Sequence, residues 1–387
     1  MFSSRQLPGI FLDHGGDTVR GARTSAFAAP FTVEEVGECP AGDRAALAQL
    51  LQRLSPRRTA GRRVHARVAI RPEGQLVRVL SAEPKRLGEL EYFAALCSGQ
   101  LQIDPQAYLL SVLNAEDGRP FDPARTGERE LFFCGLPLAE LEAAQGALVD
   151  QDIYPESLEL GTVATLGAVA DHVRHAGLAA PVLVLELGGA SSQAYVVSGG
   201  GVTHARPLSS GLDAMVPLVQ RNLGLKDAAA AKKLLHANAF DFSAMGPELT
   251  LALAREVHAL ISHLEMRTGR SVGHVLNLRL PPKLGWLGLA LARGLGLEPL
   301  APAMENWLAA RGITPAPAVR AAVLPDPGWL GVSGLRSPPC PRGWARCRIR
   351  RCRSCARNPG RPAWSTCWCG RTIRGTSATR RASWRRR

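Results

Sequence analysis

Residues 181–211 read PVLVLELGGASSQAYVVSGGGVTHARPLSSG, and this stretch decides the fold. The apolar run 182–185 ends in an acid, Glu186. Gly188 and Gly189 follow, then Ser191 and Ser192, an alternating segment, a triple glycine at 199–201 and a third apolar piece. The pattern reads as strand, tight turn, strand, turn, strand. The first turn has the chemistry of a phosphate loop. Glycine lets backbone N–H groups approach an anion, and small hydroxyls add donors. An acid at the strand end is suited to holding Mg²⁺ through water. The alternative is a glycine-rich meander without a ligand, and the hairpin alone does not decide between them.

A second stretch of the same kind lies near the N-terminus. Residues 10–20, IFLDHGGDTVR, place Asp13 as the acid and Gly15 and Gly16 as the turn. Together the two stretches resemble the phosphate hairpins of the actin, Hsp70 and sugar kinase superfamily. The order of motifs along the chain is most similar to the PilM-like family of type IV pilus assembly proteins. In that family the second hairpin closes on Arg-x-x-x-x-Gly, and Arg206 and Gly211 take those places here. Residues 225–233 and 329–336 resemble further family segments, so the resemblance spans residues 10 to about 336.

The resemblance implies an α/β fold, the actin-like (ribonuclease H-like) two-lobed architecture with a small α/β insert in the first lobe. Residues 1–80 are expected to form the first lobe with hairpin 1. Residues 81–150 form the insert, and residues 151–180 return to the first lobe. Residues 181–335 form the second lobe with hairpin 2 and a closing helix. A helix is expected over 44–54, and a strand pair over 64–70 and 75–80 around the Pro72-Glu-Gly74 turn. In the insert, 108–114 and 130–136 read as strands and 138–149 as a helix. Helices are expected over 212–223, 228–236, 249–268 and 284–295, with a strand over 272–280. His172 and His175, three apart on the returning helix, are a candidate metal pair; a solvated helix end is the preferred reading.

The formal charge of +14 belongs to one end of the chain. Residues 336–387 hold 16 Arg and no Lys, Asp or Glu; the rest carries 31 basic and 33 acidic residues. The body is therefore nearly neutral, and no nucleic-acid partner is expected for it. Six of the nine Cys and four of the seven Trp also lie in that tail. Three readings suit it: an arginine-rich RNA-binding segment, a zinc knuckle on Cys352, Cys355, Cys367 and Cys369, or an out-of-frame translation of a GC-rich gene. The third is preferred, because acids and apolar periodicity stop together. Such a segment builds no packed core. The three body cysteines fit a reducing compartment. With no signal peptide and no apolar run of membrane-spanning length, the expectation is a cytoplasmic body, peripheral at the inner membrane through partners.

What the resemblance implies about the site is ATP and Mg²⁺ held by Asp13, Gly15, Gly16, Glu186, Gly188, Gly189, Ser191 and Ser192, with Asp13 and Glu186 on the metal. Both acids are expected to face the cleft, so that their replacement would leave the fold intact. Three departures weaken nucleotide binding. Pro281 and Pro282 stand where the superfamily has glycines against adenosine, and proline rings obstruct that approach. Glu186 replaces the usual Asp. No lysine follows hairpin 1, where Arg20 is nearest. Arg279 and Lys283 are candidate phosphate ligands, with solvated charges as the preferred reading. At most a weak ATPase is implied.

Two functions follow. The first is an assembly scaffold of a type IV pilus or the related type II secretion system. It would dock the N-terminal peptide of a PilN-like inner-membrane protein between the first lobe and the insert, and so link it to the pilus motor ATPases. The second is a phosphohydrolase, because ELGGASSQ also resembles a motif of apyrases and, less closely, of exopolyphosphatases. The scaffold is preferred, since other apyrase motifs are missing.

Overall fold

The run VLVLEL at 182–187 is buried from end to end because it lies in the middle of a sheet covered on both faces. The computed structural model describes residues 8–15, 18–57, 62–118, 121, 130–190, 192–280 and 282–332, and the backbone of 348–350 and 367–368. In chain order the strands are β1 (Gly9–Gly15), β2 (Thr18–Thr24), β3 (Phe31–Pro40), β4 (Val64–Ile70), β5 (Leu76–Ser81), β6 (Tyr108–Asn114), β7 (Glu130–Pro137) and β8 (Ile153–Leu160). There follow β9 (Val182–Leu187), β10 (Ser192–Val197), β11 (Val202–Leu208), β12 (His274–Leu278), β13 (Glu298–Pro299), β14 (Ile313–Pro315), β15 (Arg348–Arg350) and β16 (Cys367–Trp368).

The two main sheets repeat one topology. The first runs β14-β3-β2-β1-β4-β8-β15-β16 and the second β11-β10-β9-β12-β13. In each, a three-strand antiparallel meander is extended by a parallel strand beside its first member: β4 beside β1, and β12 beside β9. A further parallel strand completes each repeat, β8 on β4 and β13 on β12. The two glycine-turn hairpins thus occupy equivalent places, at the start of each meander.

Strand period explains the layering. In β9, Leu183, Leu185 and Leu187 enter one core with the helices Gly246–Thr268 and Gly285–Leu295. Val182 and Val184 point the other way, into the core of the first lobe. Glu186 shares their face. The helix Gly161–Ala176 is buried along most of its length, and it touches β1, β4 and β8 of the first sheet and β10 of the second. Its many small residues allow that sandwiched position. It stops at Gly177, whose φ of 65° is a left-handed conformation that glycine adopts without steric cost. The helix Arg44–Leu54 falls on its expected span and is capped by Asp43, which accepts from the Ala46 N–H at 2.9 Å.

Three expectations need correction. The segments 64–70 and 75–80 do not form a hairpin: β4 joins the first sheet, whereas β5 leaves it for the insert sheet β5-β7-β6. The Pro72-Glu-Gly74 turn marks an exit, held by the Gly74 N–H donating to Glu140 at 3.1 Å. The insert therefore begins before residue 81. The span 181–335 is divided as well: from Met304 the chain returns to the first-lobe core, and β14 pairs with β3. His172 is not at a solvated helix end. It is buried against Trp307, ring centroids 6.0 Å apart, and burial pushes its pKa down. His175 is exposed, and no cluster of three or more metal-ligating side chains occurs among the described residues.

The insert is covered on both faces. Phe132, Cys134 and Leu136 of β7 point into the first-lobe core, and Leu131 and Phe133 pack on the segment 84–101. Its second-lobe contacts include Arg267 with Glu130 at 2.8 Å. Cys39 and Cys97 are buried free thiols, and burial pushes Cys97 up to about 11, which removes its nucleophilicity near neutral pH. In the tail, β15 pairs antiparallel with β8 and with β16. The four cysteines of the knuckle reading lie outside the described side chains, and 329–336 is described only to Val332. No described helix is long and apolar enough to cross a membrane.

One pH effect arises here. His204 of β11 lies 6.3 Å from the His263 ring, and its pKa falls from 6.5 to about 4. Burial is the main cause, followed by the charges of Arg267, His263 and Arg206. A depressed histidine favours the unfolded chain once that chain takes up the proton. Stability from this group is thus complete above pH 6.5 and declines as pH falls toward 4. Urea unfolding across that window should show the slope, and His204→Gln should flatten it.

Candidate functional site

The strand faces bring Asp13 and Glu186 to the seam between the lobes. Asp13 is the fifth residue of β1 and 5% exposed; Glu186 is the fifth of β9 and 3% exposed. Between them lies Arg71, the residue after β4, whose guanidinium is only 6% exposed. Arg71 Nη1 donates to Asp13 Oδ1. Its Nε faces Glu186 Oε1 at 3.7 Å, an electrostatic contact beyond hydrogen-bond range. Nη2 donates to Thr165 Oγ1 at 2.9 Å. The hydroxyls order the rest: Thr165 donates to the Gly161 carbonyl, and Thr162 donates to Glu186 at 2.9 Å while accepting from Gln75 Nε2 at 3.0 Å. Burial opposes the Arg71 charge, but Asp13 and then Glu186 outweigh it and raise its pKa. Burial, then Glu186, holds the Tyr195 phenol well above its usual range.

A cleft of about 500 Å³ opens beside this network. Asp13, Gly15, Arg71 and Gly188 line it, together with Arg20, Asn277, Arg279 and Asp326. Glu186 is not on its wall, so the two acids do not share the expected exposure. Arg20, the nearest substitute for a missing lysine, is held by Glu38 at 3.1 Å and Asp326 at 3.2 Å and lies over Trp329. It ties the C-terminal segment to β2. Arg279 is exposed at the cleft with φ of 61°, a left-handed conformation that glycine favours. Lys283 is exposed and is not on the cleft wall.

The second glycine turn is engaged by its own chain. Gly188 and Gly189 carbonyls accept from the Leu212 and Asp213 N–H groups, both at 2.9 Å. A Cβ on Gly211 would fall 2.2 Å from the Gly189 oxygen, so the Arg206-to-Gly211 spacing serves this close approach. Asp213 stands beside the turn, paired with Lys232 at 2.8 Å. Ser192 is buried in β10 with no partner for its hydroxyl among the described residues. Gly16, Ser191 and Pro281, and the side chain of Pro282, lie outside the described residues.

The acids do not fit Mg²⁺. That ion demands an octahedron of oxygens at close range. Here the carboxylates already face a guanidinium fixed between them, and a divalent cation would lie against it. Sequence reasoning missed Arg71. A single arginine before a turn reads as solvated, and only the return of β4 beside β1 buries it.

No family model matches the chain, and no curated protein sequence does. Among solved structures, a chain of the PilM–PilN type IV pilus biogenesis complex aligns at a TM-score of 0.63 and 18% identity, covering 86% of this chain and 98% of that one. The ethanolamine utilization protein EutJ from Carboxydothermus hydrogenoformans aligns at 0.41 and 11% identity, covering 85% and 89%. A Bacteroides thetaiotaomicron protein described as having an actin-like ATPase fold aligns at 0.38 and 9%, covering 77% and 92%. The doubled sheet topology, the interlobe cleft and the nearly complete alignment with the pilus protein agree: this chain has the actin-like two-lobed fold in its PilM-like form.

Proposed function

We propose that the protein is a cytoplasmic actin-like scaffold of type IV pilus assembly, or of the related type II secretion system. It docks the N-terminal peptide of a PilN-like inner-membrane protein and connects it to motor ATPases. The observation that carries this reading is the match, over 98% of its length, to a chain solved in complex within the pilus machine, with an alignment that takes in 86% of this chain. An extended peptide adds to a sheet edge or lies in a groove beside it through backbone bonds and apolar pockets. The insert supplies a sheet whose β6 is a terminal strand among the described ones. It also carries an open depression of about 780 Å³ lined by Ala94, Ala95, Ser98, Gln102 and Ile103. Membrane association comes through the partner.

In this reading ATP binding is weak or lost. Arg71 supports that, since it neutralises the acids a magnesium–phosphate group would need. The same feature weighs against the phosphohydrolase reading, in which Glu186 would orient water. The test is a titration with two ligands. A labelled peptide from the N-terminal cytoplasmic segment of a PilN-like inner-membrane protein should bind saturably, without nucleotide. Mg-ATP should bind weakly and release no phosphate. Submicromolar Mg-ATP binding with turnover, and no peptide binding, would overturn the scaffold in favour of the enzyme.

A further inference from the structure

Three glycines from separate elements surround the Arg71 guanidinium. A Cβ on Gly161, at the start of the interlobe helix, would lie 2.8 Å from Cζ. One on Gly331, in the C-terminal segment, would lie 3.2 Å from Nη2 and 2.5 Å from Asp13 Oδ2. One on Gly15, in the first hairpin, would lie 3.3 Å from Nη1. No side chain larger than hydrogen fits at the first two without displacing the arginine or its partner. The surroundings are therefore shaped to this group. The hydroxyls agree: Thr165 accepts from Arg71 and donates to the Gly161 carbonyl, and Thr162 accepts from Gln75 and donates to Glu186, so the network has one consistent proton order. Asp13 and Arg71 belong to the first lobe, and Glu186 to the second.

We propose that Arg71 is a resident cation standing in place of a divalent metal. It joins Asp13 of the first lobe to Glu186 of the second, so that the lobes stay closed with neither metal nor nucleotide bound. A monovalent, permanently protonated guanidinium suits that task, because it offers fixed planar donors and cannot dissociate. Glu186, the acid farther from the guanidinium, also accepts a hydrogen bond from the Thr162 hydroxyl. Closure is supported independently of the arginine by Arg174 Nε donating to the Gly199 carbonyl at 2.7 Å and by Arg267 on Glu130. The lobes are thus held by contacts within the chain, which suits a fixed platform and not a nucleotide-driven clamp.

Thermal melting and small-angle scattering of the full chain, in EDTA and in Mn²⁺, test this apart from any partner. For the native sequence, melting temperature and radius of gyration should be the same in both. Arg71→Ala should melt several degrees lower in EDTA and recover part of the loss in Mn²⁺, because the vacated acids can then accept the metal. If Arg71→Ala does not fold, the native chain decides alone. Its indifference to Mn²⁺ supports the proposal. Stabilisation or compaction by Mn²⁺ that Asp13→Asn abolishes would overturn it, as would an Arg71→Ala variant that melts in EDTA like the native chain.

Discussion

Asp13→Ala is expected to destabilise the body by about 3–5 kcal/mol, the usual effect of removing one partner from a buried ion pair. The acid and its arginine are each only 6% exposed at the side chain. Without Asp13, Arg71 keeps only the more distant Glu186 at 3.7 Å and the Thr165 hydroxyl. An under-compensated guanidinium then remains largely buried at the floor of the cleft, with only 6% of its side chain exposed. The loss should be read by urea unfolding. Changing Asp13 to Ala and Arg71 to Met together with Glu186 to Gln should recover much of it, because replacing all the charged members of a buried network by uncharged groups is often neutral. A single variant as stable as the native chain would mean that the pair is solvated and that Asp13 is free to serve a ligand.

Trp307→Ala should cost a similar amount, about 3–5 kcal/mol, for a different reason. Trp307 is 1% exposed and is the largest fully buried side chain among the described residues. It lies in the helix Met304–Ala310, and its indole Nε1 donates to Asp171 Oδ2 at 2.7 Å on the interlobe helix. Arg311 reaches the same carboxylate and stacks over the indole at 5.5 Å. Truncation opens a cavity and strips a donor from Asp171. Near-ultraviolet circular dichroism should lose signal from this site, and the melting temperature should fall. The magnitude matters because Trp307 anchors the returning C-terminal segment to the first lobe. A change below about 1 kcal/mol, the range of surface substitutions, would mean that the segment does not dock there.

Much of this architecture was legible in local pattern. Apolar and alternating runs gave the second meander and the first hairpin, and glycine pairs marked the first turn of each, whereas the strand Phe31–Pro40 was not read from the sequence. The helix 44–54 followed from its apolar stripe. What escaped was set by distance in the chain. The Pro72-Glu-Gly74 turn carries the same local signal whether the strands on either side pair or part. Only the neighbours of β4 and β5 decide, and these come from β1, β8 and β7. The return of the C-terminal segment rests on a three-residue pairing of Ile313–Pro315 with Phe31–Val33, too short to leave a periodic mark. At the site, the acids were visible as strand ends beside glycine turns. Their partner was not, because Arg71 is defined by burial and not by motif.

The burial of the insert also changes how its role is to be tested. Phe132, Cys134 and Leu136 belong to the first-lobe core, so deleting the insert would unfold the body rather than remove a docking surface. Surface probes avoid that difficulty. Photo-reactive residues placed singly at exposed insert positions such as Ala95, Gln102 and Ala143, with controls at Leu251 and Leu289 of the second lobe, leave the core untouched. Cross-linking in living cells with this set is the most direct measurement of the scaffold account. The insert probes should capture the N-terminal cytoplasmic segment of an inner-membrane protein, identified by mass spectrometry, with or without Glu186→Gln. Capture from the second-lobe positions alone, or of no membrane protein from any position, would contradict it.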